Sequence, residues 1–445
     1  MDIYPDLINS ILDKDEETLH KLMNSTYSVD IAIALKGYND DTIMQFYKLV
    51  ESKYMAKILA KADESLQLRI LRLLDYKQII NLFTYISNDD IADILGVLPI
   101  GMRKELLNMM KEGDISTLEE LLGYAPDSAG GIMTTEYIAL SGELTTKEAL
   151  EKVRNIGPKT EVIETIFVLG EKKELIGTVD LRNILIAQDT KQLKSLMRKL
   201  IVSVYPDTDQ EEVARLVSKY DLKAIPVVNR NKALLGIVTV DDIIDVIIEE
   251  HMADILHLGG VSEEERTNST LKTSVKKRLP WLLINLITAF LAAFTIGLFE
   301  DVIMQVAVLA VVMPIVTGMG GNAGTQTLSV VIRGISLGEV DLKRDWKLVI
   351  KEVFLGIING AITGLVTCII VYMVYGNFYL GLIVFISMIG NLVIAGFFGF
   401  LIPLVLKRVG ADPALASTIF LTTATDVLGF FLFLGLSKVF LHLLI

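Results

Sequence analysis

Between Val353 and Leu406 the chain carries no charged residue, an apolar stretch long enough for two membrane-crossing helices. The poverty of charge extends over the last third. From Pro280 to Ile445 there are 8 of the 54 acids and 8 of the 42 bases, so the region before Pro280 holds the whole formal net charge of −12. Such a surface repels nucleic acid, which excludes it as a partner, and attracts cations. Uncharged runs define five spans: Pro280 to Phe299, Val302 to Ile332, two within Val353 to Leu406 divided at the turn-like YGNFYLG of Tyr375 to Gly381, and Pro413 to Leu436. Bases cluster before the first span (Lys276, Lys277, Arg278), between the second and third (Arg333, Lys343, Arg344, Lys347, Lys351) and after the fourth (Lys407, Arg408). All three clusters fall on one side if the N-terminus is cytoplasmic, which leaves the C-terminus outside. The opening MDIYPDLINSILDKDEETLH is acidic and lacks the basic start and apolar core of a signal peptide. The expectation is a multi-pass protein of the plasma membrane with its soluble part in the cytoplasm.

Within the fifth span, TTATDVLGFF places Asp426 where no other charge occurs between Asp412 and Lys438. A carboxylate at the centre of a membrane helix costs roughly 2.5 to 3.5 kcal/mol, so such residues face a bundle interior or a watery cavity. The second span contains MPIVTGMGGNAGTQTLSVVIRG, Met313 to Gly334. Pro314 and the glycines Gly318, Gly320, Gly321 and Gly324 predict a broken helix, tolerated where protein or water satisfies the backbone. The alternative is a small-xxx-small packing face on Gly320 and Gly324. One Asp is a poor cage for a divalent ion, whereas a twofold dimer with Asp426 on its axis brings two carboxylates together around a cation. Mg2+ suits so sparse a site because it keeps most of its water, which Thr422, Thr423 and Thr425 could contact. Cys368, the lone cysteine, lies in an apolar run and reads as packing.

In the soluble part, residues 51 to 110 repeat an apolar helical pattern with a period of about 17 residues, which predicts stacked short helices. Asp89 and Asp93 lie one helical turn apart and could share a cation. A duplication follows: Glu174 to Ala187 and Ala233 to Ile247 each read as strand, turn and helix start, about 60 residues apart. These segments resemble a tandem pair of cystathionine β-synthase (CBS) domains, modules that often sense adenine nucleotides or ions. Gly236, Thr239 and Asp242 fit the nucleotide pattern in the second copy, while Asp180 and Asn183 replace the Thr and Asp in the first. Beyond the pair, Asp241, Asp245 and Glu249 repel one another at helical spacing, which a divalent cation would relieve; a solvated helix face is the simpler account. His251 and His257 fall on different helix faces, against a histidine metal site.

The order of an acidic helical domain, CBS pair, charged connecting helix and five spans, with MGGNAGTQTLSVVIRG in the second and DPALAS before TTATDVLGF in the last, resembles the MgtE family of magnesium channels. The resemblance covers essentially the whole chain. It implies a multidomain fold: an all-α superhelical N-terminal domain (1–125), α+β tandem CBS domains (126–250), a connecting helix (251–279) and an all-α polytopic membrane domain with five transmembrane helices (280–445). It implies a homodimer whose pore is lined by the second and fifth spans, with Asp426, Thr422, Thr423, Thr425, Asn322, Gly324 and Gln326 as candidate pore residues. Cytosolic Mg2+ would close the channel by binding Asp89, Asp93, Asp209, Glu211, Asp221, Asp242, Glu250, Asp254 and Asp412, and ATP is a possible modulator. Ala253 stands where relatives often carry an acid, and Thr418 and Ile419 replace a glycine or asparagine and a proline after DPALAS. The alternatives are an ion-coupled exporter of divalent cations and a nucleotide-sensing membrane regulator. No nucleophile with a base, histidine cluster or P-loop points to an enzyme.

Overall fold

The computed structural model describes residues 16–157, 160, 162–262, 265, 269–340, 346–410 and 412–445. Asp341, Lys343, Arg344 and Asp345 of the link between the second and third spans lie outside them. The chain forms two compact units, one up to Ile247 and one from Ile248.

Among the described residues the first unit has nine short helices before its strands: α1 Glu16–Ser25, α2 Ser28–Lys36, α3 Asp40–Leu49, α4 Ser52–Ala60, α5 Glu64–Leu73, α6 Tyr76–Phe83, α7 Asn88–Val97, α8 Ile100–Met109 and α9 Glu112–Leu121. From α2 onward the residues at the helix N-caps are Tyr27, Asn39, Glu51, Asp63, Asp75, Ser87, Pro99 and Lys111, a period of twelve. This corrects the longer period expected from the sequence. The turn after Leu73 carries no glycine, and the one after Val97 has Gly96 and Pro99 set inside an apolar run, so in each segment two helices read as one. The stops are made by capping: Asn39, Asp63 and Asp75 accept backbone N–H groups of Thr42, Leu66 and Gln78. Each cap stabilises its helix by about 1 kcal/mol. One apolar face per helix is buried, with Leu35, Phe46, Leu59 and Leu82 fully enclosed.

The CBS pair follows. Its elements are β1 Ala139–Ser141, α10 Thr146–Ile156, β2 Thr165–Leu169, β3 Leu175–Asp180, α11 Leu181–Ile186, α12 Leu193–Leu196, α13 Gln210–Tyr220, β4 Ala224–Val228 and β5 Leu234–Thr239. β1 runs parallel to β2, β2 antiparallel to β3, and β4 antiparallel to β5. The duplication is visible in detail. Register shifts fall at Val168/Leu169 and Val227/Val228, left-handed residues at Lys173 and Lys232, and the equivalent residues Glu174 and Ala233 bridge each other. One apolar core runs from the short helices through Met133 and Val213 to Ile243 and Val246, while the first CBS copy keeps its own around Ile166 and Val179.

Helix α14, Val240–Leu258, leads to α15 Leu271–Gly297, α16 Glu300–Gln305, α17 Val308–Ser336, α18 Trp346–Tyr375, α19 Phe378–Val409, α20 Pro413–Val439 and α21 Leu441–Leu444. Five of these (α15, α17, α18, α19 and α20) are long and apolar enough to cross a membrane. The division between α18 and α19 falls at YGNFYLG, where Gly376 takes φ +69° and Asn377 caps Leu380 N–H. α19 sits deepest, with 56% of its apolar window buried against 11% for α15 and 17% for α18. α19 is therefore the post on which α17, α18 and α20 pack, while α15 packs on α20.

The expected break in the second span does not occur: α17 is one helix from Val308 to Ser336 and includes Pro314. Its glycines serve close packing instead. A Cβ at Gly320 would lie 2.2 Å from Asn391, and one at Gly324 2.8 Å from Leu421, whereas Gly318 and Gly321 meet nothing. A second small-residue stripe joins α18 to α19: a Cβ at Gly356 would lie 2.5 Å from the Leu392 carbonyl oxygen and one at Gly360 2.6 Å from Ile389 Cα. These obstacles are backbone and cannot rotate away. Gly360→Ala is expected to destabilise the membrane unit by about 1 to 3 kcal/mol, while Gly435→Ala, which meets nothing within 4 Å, stays neutral. Thermal melting in detergent checks this; equal melting points would contradict the packing.

Candidate functional site

Three places gather the residues singled out in the sequence. The first is a seam within the first unit. Asp89, in the first turn of α7, is largely buried, and its Oδ1 has no hydrogen-bond partner. Burial and the neighbouring Asp90 carboxylate raise its pKa to about 6, against an ordinary 3.8, with Asp242 adding to the effect. Glu136 is raised first by burial and then by Asp89. Asp242 is raised by burial foremost; Thr239 and Lys61 hold it down, Asp241 and Asp90 push it up. Four acids (Asp89, Asp90, Glu136 and Asp242) thus repel one another across one seam. A cavity of about 540 Å³ beside it is lined by Lys57, Lys61, Tyr85, Asp90 and Glu136, among others. Glu136, from the segment before the first CBS strand, was not legible as a site residue. Nothing in MTTEYIAL marks it, and only the fold brings it to Asp89. Asp93 follows one turn after Asp89 on α7.

Asp209, Glu211 and Asp221 are held apart. Asp209 caps α13, accepting the Glu211 N–H at 2.8 Å, while Asp221 ends the same helix in the left-handed conformation. Eleven residues of helix put the two ends roughly 16 Å apart, so these acids do not form one site within a chain. Thr239 donates to the Asp242 carboxylate at 2.6 Å. That bond sits at the head of α14, so the T-x-x-D pattern also starts this helix. A Cβ at Gly236 would lie 2.7 Å from Met133 Sδ and 2.8 Å from the Thr134 carbonyl oxygen, so this glycine serves close packing.

The second place is in the second unit, where the end of α14 meets the ends of two spans. Ser336 donates to Asp254 at 3.2 Å, and Thr418 donates to the Leu258 carbonyl at 3.2 Å. Asp412 caps α20 and pairs through Oδ2 with His257 Nδ1 at 2.6 Å. Burial foremost, then Asp412, raises the Asp254 pKa; His251 and His257 oppose this. His257 therefore has a role that its separation from His251 concealed. Glu250 lies one turn before Asp254 on α14.

The third place is Asp426, half-buried in the middle of α20. Thr422, one turn earlier on α20, is exposed, and so are Asn322, Thr325 and Gln326 of α17, which packs on α20. Thr422, Thr423 and Thr425 each donate to carbonyls one turn earlier in their own helix. They can still accept. Two expected pore residues turn inward: Thr425 is fully buried, and Gly324 packs on Leu421. The helical period explains it, because residues three or four from an exposed position return to that face and their neighbours do not. Glu352 was also missed. It is buried in α18 and accepts from Thr327 at 3.1 Å. Placing the third span at Val353 left this acid outside it.

Among the described residues no three His, Cys, Asp or Glu side chains form a ready-made metal cage. A single chain thus offers acidic seams and half-sites.

A five-span membrane domain in one chain with a helical repeat and a CBS pair, its carboxylates gathered at the seam of the soluble unit and at the mouth of the spans, is the architecture of an ion transporter. The comparisons agree: residues 313–436 match the MgtE divalent cation transporter family, 26–127 the MgtE intracellular N domain, and 129–189 and 193–249 the CBS domain. The chain is 32% identical over 413 residues to the magnesium transporter MgtE of Bacillus subtilis, covering 93% of this chain and 92% of that one. It is 34% identical over 368 residues to the magnesium transporter MgtE of Thermus thermophilus, covering 80% of each. The crystal structure of the cytosolic domain of the Mg2+ channel MgtE in complex with ATP superposes with TM-score 0.52 at 30% identity, covering 55% of this chain and 99% of that one. That of the soluble part of a magnesium transporter, at 24% identity, superposes with TM-score 0.53 over 56% of this chain and 97% of that one. The chain belongs to the MgtE family of divalent cation transporters.

The seam sets a pH dependence. The folded pKa of Asp89 exceeds its ordinary value, so folding binds the proton more tightly. The stability contributed by the protonated carboxyl is whole below about pH 4 and is lost as pH rises through about 6, a span worth roughly 3 kcal/mol. Denaturation of wild type and Asp89→Asn in metal-free buffer between those values should show wild type losing stability relative to the variant as pH rises. Parallel curves would contradict it.

Proposed function

We propose that the chain is a Mg2+-gated channel for Mg2+ uptake, working as a homodimer in the plasma membrane with its soluble units in the cytoplasm and its C-terminus outside. The observation that carries this reading is Asp426: an acid in the middle of a bilayer-length helix, half-buried, one turn after exposed Thr422, while α17, which packs on α20, exposes Asn322 and Gln326. Exposed polar groups at that depth require water or a second protein surface. A second copy meeting these faces supplies both, and pairs two Asp426 carboxylates across a hydrated passage. A hydrated Mg2+ passing there needs few protein ligands, because it surrenders its waters reluctantly. Thr422, Asn322 and Gln326 would hydrogen-bond those waters.

Closure follows from the acids. Without a divalent ion, Asp89, Asp90, Glu136 and Asp242 repel across the seam, and Asp254 faces Asp412 at the mouth of the spans. Cytosolic Mg2+ binding at these places favours the state that brings the acids together, and it shifts the equilibrium by its difference in affinity for the two states. Asp93, Asp209, Glu211, Asp221 and Glu250 complete the proposed sensing set. Asp209 and Asp221, at opposite ends of α13, would serve different ions.

The relative crystallised with ATP favours ATP as a modulator. Gly236, Thr239 and Asp242 are the residues for it. Because Asp242 belongs to the acidic seam, an incoming triphosphate meets like charge there, which favours its Mg2+ complex over the free nucleotide.

In liposomes holding the full-length protein, Asp426→Ala is expected to reduce Mg2+ flux to background. Flux through wild type should fall as Mg2+ rises on the side of the soluble units, without need of a sodium or proton gradient. Wild-type flux through Asp426→Ala, or flux that tracks an imposed gradient of another ion, would overturn the reading.

A further inference from the structure

Asn391 stands in the middle of α19, fully buried where α17, α19 and α20 cross. Its Nδ2 donates to the Val316 carbonyl at 2.9 Å, while its Oδ1 is buried with no hydrogen-bond partner. Two glycines make room for the amide. A Cβ at Gly320 would lie 2.2 Å from Nδ2, and one at Gly429 would lie 2.8 Å from Oδ1. Gly429 comes three residues after Asp426, so the turn of α20 that presses on the amide is the turn next to the Asp426 carboxylate. On the other side, Val316 lies two residues beyond Pro314, whose missing N–H removes the bond to the Ala310 carbonyl one turn earlier in α17.

A leucine would fill this space without stranding an acceptor in an apolar surrounding, and would raise stability. The amide is therefore a poor choice for packing and a good one for directional attachment. We propose that Asn391 is a positioning residue of the ion pathway. By holding α17 at Val316 and seating Gly429, it fixes the Asp426 turn of α20 against the glycine segment of α17. The passage width, and with it the preference among hydrated divalent cations, depends on that register. The inference rests on Asp426 being the carboxylate that meets the ion.

The test uses the full-length protein in liposomes, with Mg2+ and Ni2+ fluxes measured separately and melting temperature recorded for each variant. Asn391→Leu is expected to melt at or above wild type yet to lower the Mg2+ to Ni2+ flux ratio about threefold or more, within the range for a residue that acts through a packed network. The double variant Asn391→Ala with Gly320→Ala, which returns a methyl group to the vacated space, reads the same ratio independently of how Asn391→Leu folds. A wild-type ratio in either folded variant would show that Asn391 only fills volume and would overturn the proposal. Asp426→Ala, run in parallel, separates the two ideas. If it conducts like wild type, both the pore reading and the Asn391 role fall; if it is silent while the Asn391 variants keep the wild-type ratio, only the Asn391 role falls.

Discussion

A carboxylate cannot be left against hydrocarbon, and the arrangement of the membrane unit answers to that constraint. α19 is buried on most of its surface, and α15 and α18 present broad apolar faces that suit lipid. α17 and α20 differ: their inward faces are packed through Gly320, Gly324 and Gly429, while polar side chains remain on their outward faces. Glycine is what allows this division. By letting α17 and α20 approach the central helix closely, it leaves room there only for small polar residues such as Thr327 and Thr425, so the longer Asn322 and Gln326 fall on the exposed side. Asn391 is a long polar group on the packed side, and it meets Gly429, three residues after Asp426 on α20.

The soluble unit applies the same electrostatics in the opposite sense. Acids are cheap in water and costly when crowded together out of it. Asp89, Glu136 and Asp242 come from a helical repeat, a CBS approach segment and the head of the connecting helix, yet burial and mutual repulsion raise all three. A seam built this way favours protonation of its acids, and under the proposed gating a cation would take the proton's place. At the mouth of the spans a partner comes from within the chain, where His257 pairs with Asp412. On the proposed gating, a doubly charged ion would be bound at sites that exist only when surfaces close. Half-sites of acids suit that better than a finished cage.

Much of the fold was legible because the signals were long. Five uncharged runs marked five spans, and a 59-residue repeat marked the CBS pair down to equivalent left-handed lysines. The twelve-residue period of the helical domain is hidden because its turns at Leu74 and Leu98 lie inside apolar runs, the second with only Gly96 and Pro99 to mark it. α17 was expected to break because proline and glycine weaken an isolated helix; in the bundle, close neighbours compensate through contacts that a propensity argument cannot see. At the candidate sites, Asp426 and Asp89 declared themselves by an unusual position or local pairing. Glu136, His257, Glu352 and Asn391 did not, because each acquires meaning from a residue 25 or more positions away, as with Thr327 and Glu352 or Val316 and Asn391.

The central claim is that the polar faces of α17 and α20 meet their counterparts in a second copy around water. Thr422, exposed one turn before Asp426, is the place to ask. In a chain whose lone cysteine is replaced, Cys368→Ala, the substitution Thr422→Cys should form a disulfide-linked dimer under mild oxidation in native membranes and, when reduced, react with a membrane-impermeant thiol reagent. A thiol that stays monomeric and reacts only with lipid-soluble reagents would place that face against hydrocarbon and contradict the account.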